Sequence, residues 1–556
     1  AGVVFSIAES PREKGVIWAG TNDGLVQVTR DGGQHWDNVA HNIPGLPPKG
    51  TVYSVEPSPF DGGTCYIAVD LHQVDNRDPF LYKTTDYGKT WKAIASDIPK
   101  SPLSYAHVLR EDPFRKGLLY AGTENALYVS FDDGGHWKPL QSKLPHAPIY
   151  WLTIQTHFHD LVVGTYGRGF YILDDVTSLE QLDDRVRESA AHLFEPRPAY
   201  RFLAVSHPDL APSGTSRGHN PPYGAAVNYW LKEPLQGIED ESKEDEGEKS
   251  PGAGEEKTQK KNRIEITILD ASGAKIRTLK GTNKVGINRV FWDLRHEPTA
   301  EVRLRTTPPG NPHVWEEKRF RGKDRRDVYY YGISALKNGP LVPPGTYTVR
   351  LTVDGKESTQ KLVVLKDPNS AGTEADIEAS TALSVAIYRD VNVIAGMINQ
   401  IEWTRKQLED FRGMLKAEKA EPSSATAAKD LEQKIWEVED RFLQPTIAES
   451  DLKSFRGSLG LYFKLLWLGA EVGAGAADVS GNADLAPTQP EREVYDLLSK
   501  QLAEARRSFD ELYAKTIPAF NDAMTSKGYV HVMTVKEPEE PRKQEPREEE
   551  DEDWGS

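Results

Sequence analysis

The alternation of apolar and polar positions changes character twice along the chain. Up to about residue 180, short apolar or β-branched runs recur between polar turns, as in Val16-Ile-Trp-Ala-Gly20-Thr21, Thr51-Val-Tyr-Ser-Val55, Leu118-Leu-Tyr-Ala-Gly122-Thr123 and Ile149-Tyr-Trp-Leu-Thr153. Runs of that length, bounded by Gly, Pro, Asn and Asp, predict strands. Between about 193 and 367 the runs at 264–269 and 346–353 alternate with period two, as strands with one buried face do. From Ala375 the period lengthens. Leu383, Ile387, Val391, Ile394, Ile398 and Ile401 recur every three or four residues and so share one side of a helix. Similar stripes run through Leu431, Ile435 and Val438, and through Val494, Leu498, Leu502, Phe509 and Leu512, the last behind a capped start at Thr488, Pro490 and Glu491. The expected architecture is multidomain, mainly β and then α. It comprises strand repeats over 1–180, a β-sandwich over 190–367 and an antiparallel helical bundle over 375–530.

The first stretch is internally repetitive. One octet occurs three times: Thr29-Arg-Asp31-Gly-Gly33-Gln-His-Trp36, Thr84-Thr-Asp86-Tyr-Gly88-Lys-Thr-Trp91 and Ser130-Phe-Asp132-Asp-Gly134-Gly-His-Trp137. An Asp can accept hydrogen bonds from its own tight turn, Gly supplies positive φ, and Trp packs across to a neighbouring hairpin. The Asp positions lie 55 and 46 residues apart, which suits four-stranded units of roughly 40–50 residues. Each octet is followed by Ile-Pro or Leu-Pro, at Ile43, Ile98 and Leu144, and then by the next unit's first strand. Three complete units and a fourth ending at its third strand, Gly169-Phe-Tyr-Ile-Leu173, are therefore expected.

Composition narrows the partners. The 68 basic against 84 acidic residues leave a formal charge of −16, with much of the acid in runs at 239–261 and 537–553. The first run has the composition of a disordered insertion in the sandwich, and 535–556 that of a disordered tail. Without a basic stripe, nucleic acid is not an expected partner. No membrane span is expected from apolar run length. Cys65 is the only cysteine, so no intrachain disulfide or cysteine-ligated zinc site can form. His157-Phe-His159-Asp160 has the residue types of a metal cluster, but a turn is expected there, and no metal or cofactor is assigned.

The octets match the Asp-box, S/T-x-D-x-G-x-x-W. Together with Tyr82-Lys-Thr-Thr-Asp-Tyr-Gly-Lys-Thr-Trp91 and Val163-Gly-Thr-Tyr-Gly-Arg-Gly-Phe-Tyr-Ile-Leu-Asp-Asp175, they resemble bacterial secreted proteins with sortilin (VPS10)-type propellers, commonly labelled BNR-repeat glycosyl hydrolases. The resemblance implies a partial Asp-box β-propeller, an immunoglobulin-like sandwich and a secreted, periplasmic or cell-surface location. It also implies a ring of six or more blades. Four blades leave faces uncovered, so missing N-terminal blades from the same precursor or a separate chain are an expected partner.

In such propellers the Asp-box turns lie on the face opposite the loops joining each unit's second and third strands. Asp31, Asp86 and Asp132, with Trp36, Trp91 and Trp137, are accordingly read as structural. The opposite loops carry Asp23, the longer run His72-Gln-Val-Asp75-Asn-Arg77-Asp78, Glu124, and Tyr166-Gly-Arg168. Glycoside hydrolysis requires two carboxyl groups across the scissile bond, and Asp75, Asp78 and Glu124 are the catalytic candidates. Asp23, His72, Arg77, Tyr166 and Arg168 are the ligand-binding candidates. The expected function is a binding scaffold for a peptide or glycan. The alternatives are a glycoside hydrolase working on that face and a structural subunit of a surface complex.

Overall fold

Each of the four N-terminal repeats folds into its own antiparallel meander. The computed structural model describes residues 2–141, 143–202, 220–236, 263–308, 311–328, 337–444, 459–474 and 484–529. The acidic stretch 239–261 and the tail 535–556 lie outside them. The first blade runs β1 (Val4–Glu9), β2 (Ile17–Thr21), β3 (Val26–Thr29) and β4 (Asp37–Asn38). The second runs β5 (Thr51–Pro57), β6 (Cys65–Asp70), β7 (Phe80–Thr84) and β8 (Lys92–Ala93). The third runs β9 (Ala106–Glu111), β10 (Leu119–Thr123), β11 (Leu127–Ser130) and β12 (Lys138–Pro139). The fourth has three strands among the described residues: β13 (Ile149–Gln155), β14 (Asp160–Thr165) and β15 (Phe170–Leu173). Each sheet pairs its strands in sequence order.

The octets close the turn between third and fourth strands. Asp31 accepts from the backbone N–H groups of Gln34 and His35 at 2.9 and 3.0 Å, Asp86 from Thr90 at 2.8 Å and Asp132 from His136 at 2.8 Å. The hydroxyls of Thr29, Thr84 and Ser130 donate to the same carboxylates. Backbone and side-chain hydrogen bonds from His35 hold the Asp31 carboxyl well below the usual range.

The same turns join blade to blade. Trp91 of the second blade meets Trp18 of the first edge-on at 6.0 Å, and Trp137 of the third donates from Nε1 to the Ile94 carbonyl of the second at 2.5 Å. Gly88 and Gly134 have φ of 80° and 82°. A Cβ there would fall within 3 Å of Val39 and Ile94 of the preceding blade, so glycine is demanded twice over. The fully buried Tyr66 adds a polar lock, its hydroxyl donating to Asp133 at 2.7 Å and standing 3.2 Å from Glu111, while Lys83 pairs with Asp133.

Two compact units divide the chain. The first holds Ala1–Ala199, Gly218–Asp293 and Thr346–Val364; the second holds Tyr200–Arg217, Leu294–Gly345 and Leu365–Ser556. The blades thus share a unit with the strands that follow them, while 294–345, expected in the sandwich, falls with the helices. In the first unit Ala225–Leu231 pairs with both Ala191–Leu193 and Gly286–Trp292, and Ile264–Leu269 pairs with Lys275–Lys280 and with 348–353. Trp292 of one sheet meets Tyr347 of the other edge-on at 5.4 Å. The fourth blade is tied to the first of these sheets by Asp175, buried with φ of 55°, which accepts from Asn228 at 3.0 Å. Arg289 spans the same junction, donating to the Asp174 and Asp175 carbonyls and to Asn228.

The second unit is built on helices Glu374–Ala417, Pro422–Phe442, Leu461–Ala474, Gln489–Glu511 and Ile517–Thr525. The Thr488/Glu491 capping box forms as expected, and a second box, Thr373/Asp376, starts the first helix. Helix Leu461–Ala474 has no counterpart in the sequence reading. Its apolar residues run nearly all round it, so no stripe marks it, and Leu461, Tyr462, Phe463, Leu465 and Leu466 are all buried in the common core. Of the expected stripe residues, Val494 is exposed instead of packed. Helix Glu374–Ala417 is long and apolar enough to cross a membrane by length and composition. Its stripe from Ile387 to Leu415 is taken up by that core.

Candidate functional site

The innermost strands of the four blades share an irregularity that places the site. In β1 the pairing register skips between Val4 and Ser6, in β5 between Val52 and Ser54, in β9 between Val108 and Ala106, and in β13 between Ile149 and Trp151. Each skip leaves one residue out of the ladder: Phe5, Tyr53, His107 and Tyr150. A β-bulge re-aims the side chain at the extra residue. Here four bulges at equivalent places bring four rings together on the blade axis. Phe5 and Tyr53 centroids lie 4.7 Å apart, Tyr53 and His107 5.0 Å, and Tyr53 and Tyr150 5.7 Å. His107 stacks on Tyr150 at 4.3 Å with the planes 16° apart.

Further groups close around this cluster from the turns expected to carry the site. His107 is fully buried, with Nε2 2.9 Å from Glu124 and Nδ1 3.7 Å from Asp70. Asp70, itself buried at the end of β6, is also reached by His72, whose Nδ1 lies within 2.8 Å of both carboxylate oxygens. Tyr105 stacks on His72 at 4.8 Å and meets His107 edge-on at 5.2 Å. Tyr166, from the fourth blade's turn, reaches Tyr150 at 5.4 Å and is 72% exposed. Burial, then the fields of Tyr150, Asp70 and Glu124, push the Tyr53 hydroxyl up to about 12. Burial and Glu124 push Tyr105 up as well.

Along the axis from these rings the inner strands enclose a groove of about 640 Å³, lined among others by Phe5, Ile7, Tyr53, Glu56, Arg110 and Trp151. Arg110 lies over the Trp151 ring at 4.4 Å and pairs with Glu56 at 3.2 Å. Burial outweighs that attraction and pushes the Glu56 carboxyl up to about 7.

Of the sequence candidates, the structure brings Glu124, His72 and Tyr166 together. The others are engaged elsewhere or stand in solvent. Asp23 accepts from the Thr21 hydroxyl at 2.6 Å in its own turn. Asp75 is exposed with φ of 61°, Asp78 pairs with Lys100 at 2.5 Å, and Arg77 points at the Pro102 carbonyl at 3.5 Å. Arg168 is exposed at the tip of its turn. His159 lies in the expected turn, 2.8 Å from Glu180. The sequence reading missed Asp70, Tyr53, Tyr105, His107 and Tyr150, because it searched turns while these lie on or beside strands. Superposing the inner strands of the repeats is the signal that finds them.

The blades form a partial β-propeller. No family model matches the chain. Over 108 residues, 19% of its length, it is 31% identical to the vacuolar protein sorting/targeting protein 10 of the fungus Laccaria bicolor, and it spans only 6% of that relative. Among solved structures it is similar to YCF48 from Cyanidioschyzon merolae, at 19% identity over 31% of this chain and 53% of that one, with a TM-score of 0.23. It is also similar to the GH74 xyloglucanase from Xanthomonas campestris, at 12% identity over 65% and 54% of the two chains, with a TM-score of 0.26.

Proposed function

We propose that the protein is a binding scaffold whose ligand, a peptide or glycan, docks on the axial ring cluster at the end of the blades away from the octet turns. One observation carries this reading: four separate strands spend a ladder position each to turn a ring toward one point. Ring arrays of this kind offer large contact area at low entropic cost and are typical of recognition surfaces. The two sheets that follow are read as an immunoglobulin-like sandwich bracing the fourth blade through Asp175 and Arg289. We place the protein outside the cytoplasm on the resemblance of its octets to those of exported proteins.

The arc is read as part of a larger ring. At positions equivalent by the bulges, Val4 and Ile7 of the first blade are 57% and 65% exposed, whereas Val52 and Val55 of the second are 0% and 5% exposed. Trp36 is 41% exposed against 8% for Trp91 and 6% for Trp137. Every other octet tryptophan packs on the blade before it, so the first blade presents a face shaped for one more blade of the same kind.

The binding reading is tested by screening the full chain against glycan and peptide arrays beside Tyr150→Ala and Tyr166→Ala. Signals lost in both variants, with melting temperatures kept, support it. Signals indifferent to both changes would place binding elsewhere.

A further inference from the structure

We infer that the axial cluster selects a cationic group, an alkylammonium carried by a peptide side chain or a small quaternary amine, over neutral and anionic ligands. The inference rests on the binding reading above and adds to it the charge class of the ligand.

Aromatic faces carry negative electrostatic potential and attract cations within about 6 Å of the ring centroid. This molecule uses that attraction repeatedly with its own residues. Arg30 lies over Tyr87 at 3.9 Å, Arg110 over Trp151 at 4.4 Å, Arg187 over Phe131 at 4.5 Å and Lys83 beside Tyr66 at 5.5 Å. The axial rings, though exposed at Phe5 and Tyr166, have no such partner among the described residues. Among the described residues no lysine or arginine lies over Phe5, Tyr53, Tyr105, Tyr150 or Tyr166, although these form the densest aromatic cluster of the blades.

The charges beside them have the matching sign. Asp70 and Glu124 approach the same imidazole from its two nitrogens, and among the described residues their ion-pair partners are His72 and His107, not lysine or arginine. His107 Nδ1, wholly buried, makes no hydrogen bond among the described residues. The same negative fields that help to hold the proton on Tyr53 favour a positive guest. A carboxylate or sulfate would meet two carboxylates there, and a neutral sugar would gain the stacking without the charge term. Phe5 and Tyr166 are exposed, so a guest can reach the rings from solvent. Arg77 is exposed with its guanidinium at the Pro102 carbonyl, and Arg168 is exposed at the tip of its turn.

The test titrates the full chain by calorimetry with choline, its neutral tert-butyl isostere 3,3-dimethyl-1-butanol, acetate, cellohexaose and the capped peptide Gly-Gly-Lys-Gly-Gly. Choline or the lysine peptide is expected to bind at least about tenfold more tightly than the isostere. Whichever of the two binds better identifies the source of the cation. Tyr166→Ala, at an exposed position, and Glu124→Gln, which keeps shape and removes charge, should each weaken that binding about threefold or more. Equal affinity for choline and its isostere overturns the cation inference, as does binding of cellohexaose or acetate alone at this site; in those cases the binding reading survives. Absence of binding in every arm overturns both.

Discussion

His107 Nε2 lies 2.9 Å from Glu124 Oε2, a contact made inside the protein between an inner strand and the turn that follows the next strand of the same blade. The imidazole also fills the gap between Tyr53 and Tyr150 and stands beside Asp70. His107→Ala removes a packed ring and leaves two carboxylates without that partner. It should destabilise the first unit by about 2–4 kcal/mol, read as a shift of the urea midpoint. A midpoint unchanged from wild type would mean the cluster is not a packed element.

The octet tryptophans should differ sharply although their local sequences agree. Trp91→Ala deletes a buried indole packed on Trp18 and should cost about 3–5 kcal/mol. Trp36→Ala deletes one that is 41% exposed and, among the described residues, has no blade packed on it, and should cost under about 1 kcal/mol. Equal losses in chemical denaturation would refute the blade-on-blade role.

Exposed apolar residues at both ends of the arc, Val4 and Ile7 at one and Trp151, Phe170 and Ile172 at the other, should make the isolated chain self-associate. Sedimentation velocity is expected to show concentration-dependent oligomers, and the double change Val4→Ser, Ile7→Ser to shift them toward monomer. A wild-type chain that stays monomeric across the concentration range would remove the case for an uncovered face.

In the second unit a buried triad sets a pH dependence. Glu402 accepts from the backbone of Arg305 and Thr306, the Thr306 hydroxyl and Arg405, and these donors hold it low. Glu439 has Arg405 at 2.8 Å, yet burial pushes it up to about 8, with the Glu402 charge adding to the rise. A carboxyl raised on folding contributes stability in its protonated form. That contribution is complete below about 4.5 and is lost as pH rises toward 8. Glu439→Gln should therefore flatten the stability profile between those values, and Glu402→Gln should cost about 3–5 kcal/mol at neutral pH. An unaltered slope in Glu439→Gln would show that the carboxyl titrates normally.

Much of the blade architecture was legible because it is local. An Asp with its hydroxyl partner two residues earlier closes its own turn, so Asp31, Asp86 and Asp132 could be placed before any tertiary contact was known. The Thr488/Glu491 cap was readable for the same reason, and strands and helices announced themselves by their periods. The site was only half legible. Glu124, His72 and Tyr166 stand on turns where polar residues invite attention, but Asp75 and Asp78 look equivalent to them in sequence and are drawn away by turn conformation and by Lys100. The cluster's centre was hidden because a bulge is a one-residue shift of pairing register. It reverses the facing of Phe5, Tyr53, His107 and Tyr150 without disturbing composition or period. Register depends on the partner strand, and convergence on one axis depends on four sheets packed side by side. The sequence by itself therefore determined the repeating turns and the strand order, whereas the choice of which rings face one another belonged to the tertiary structure, because only packing fixes what a bulge points at.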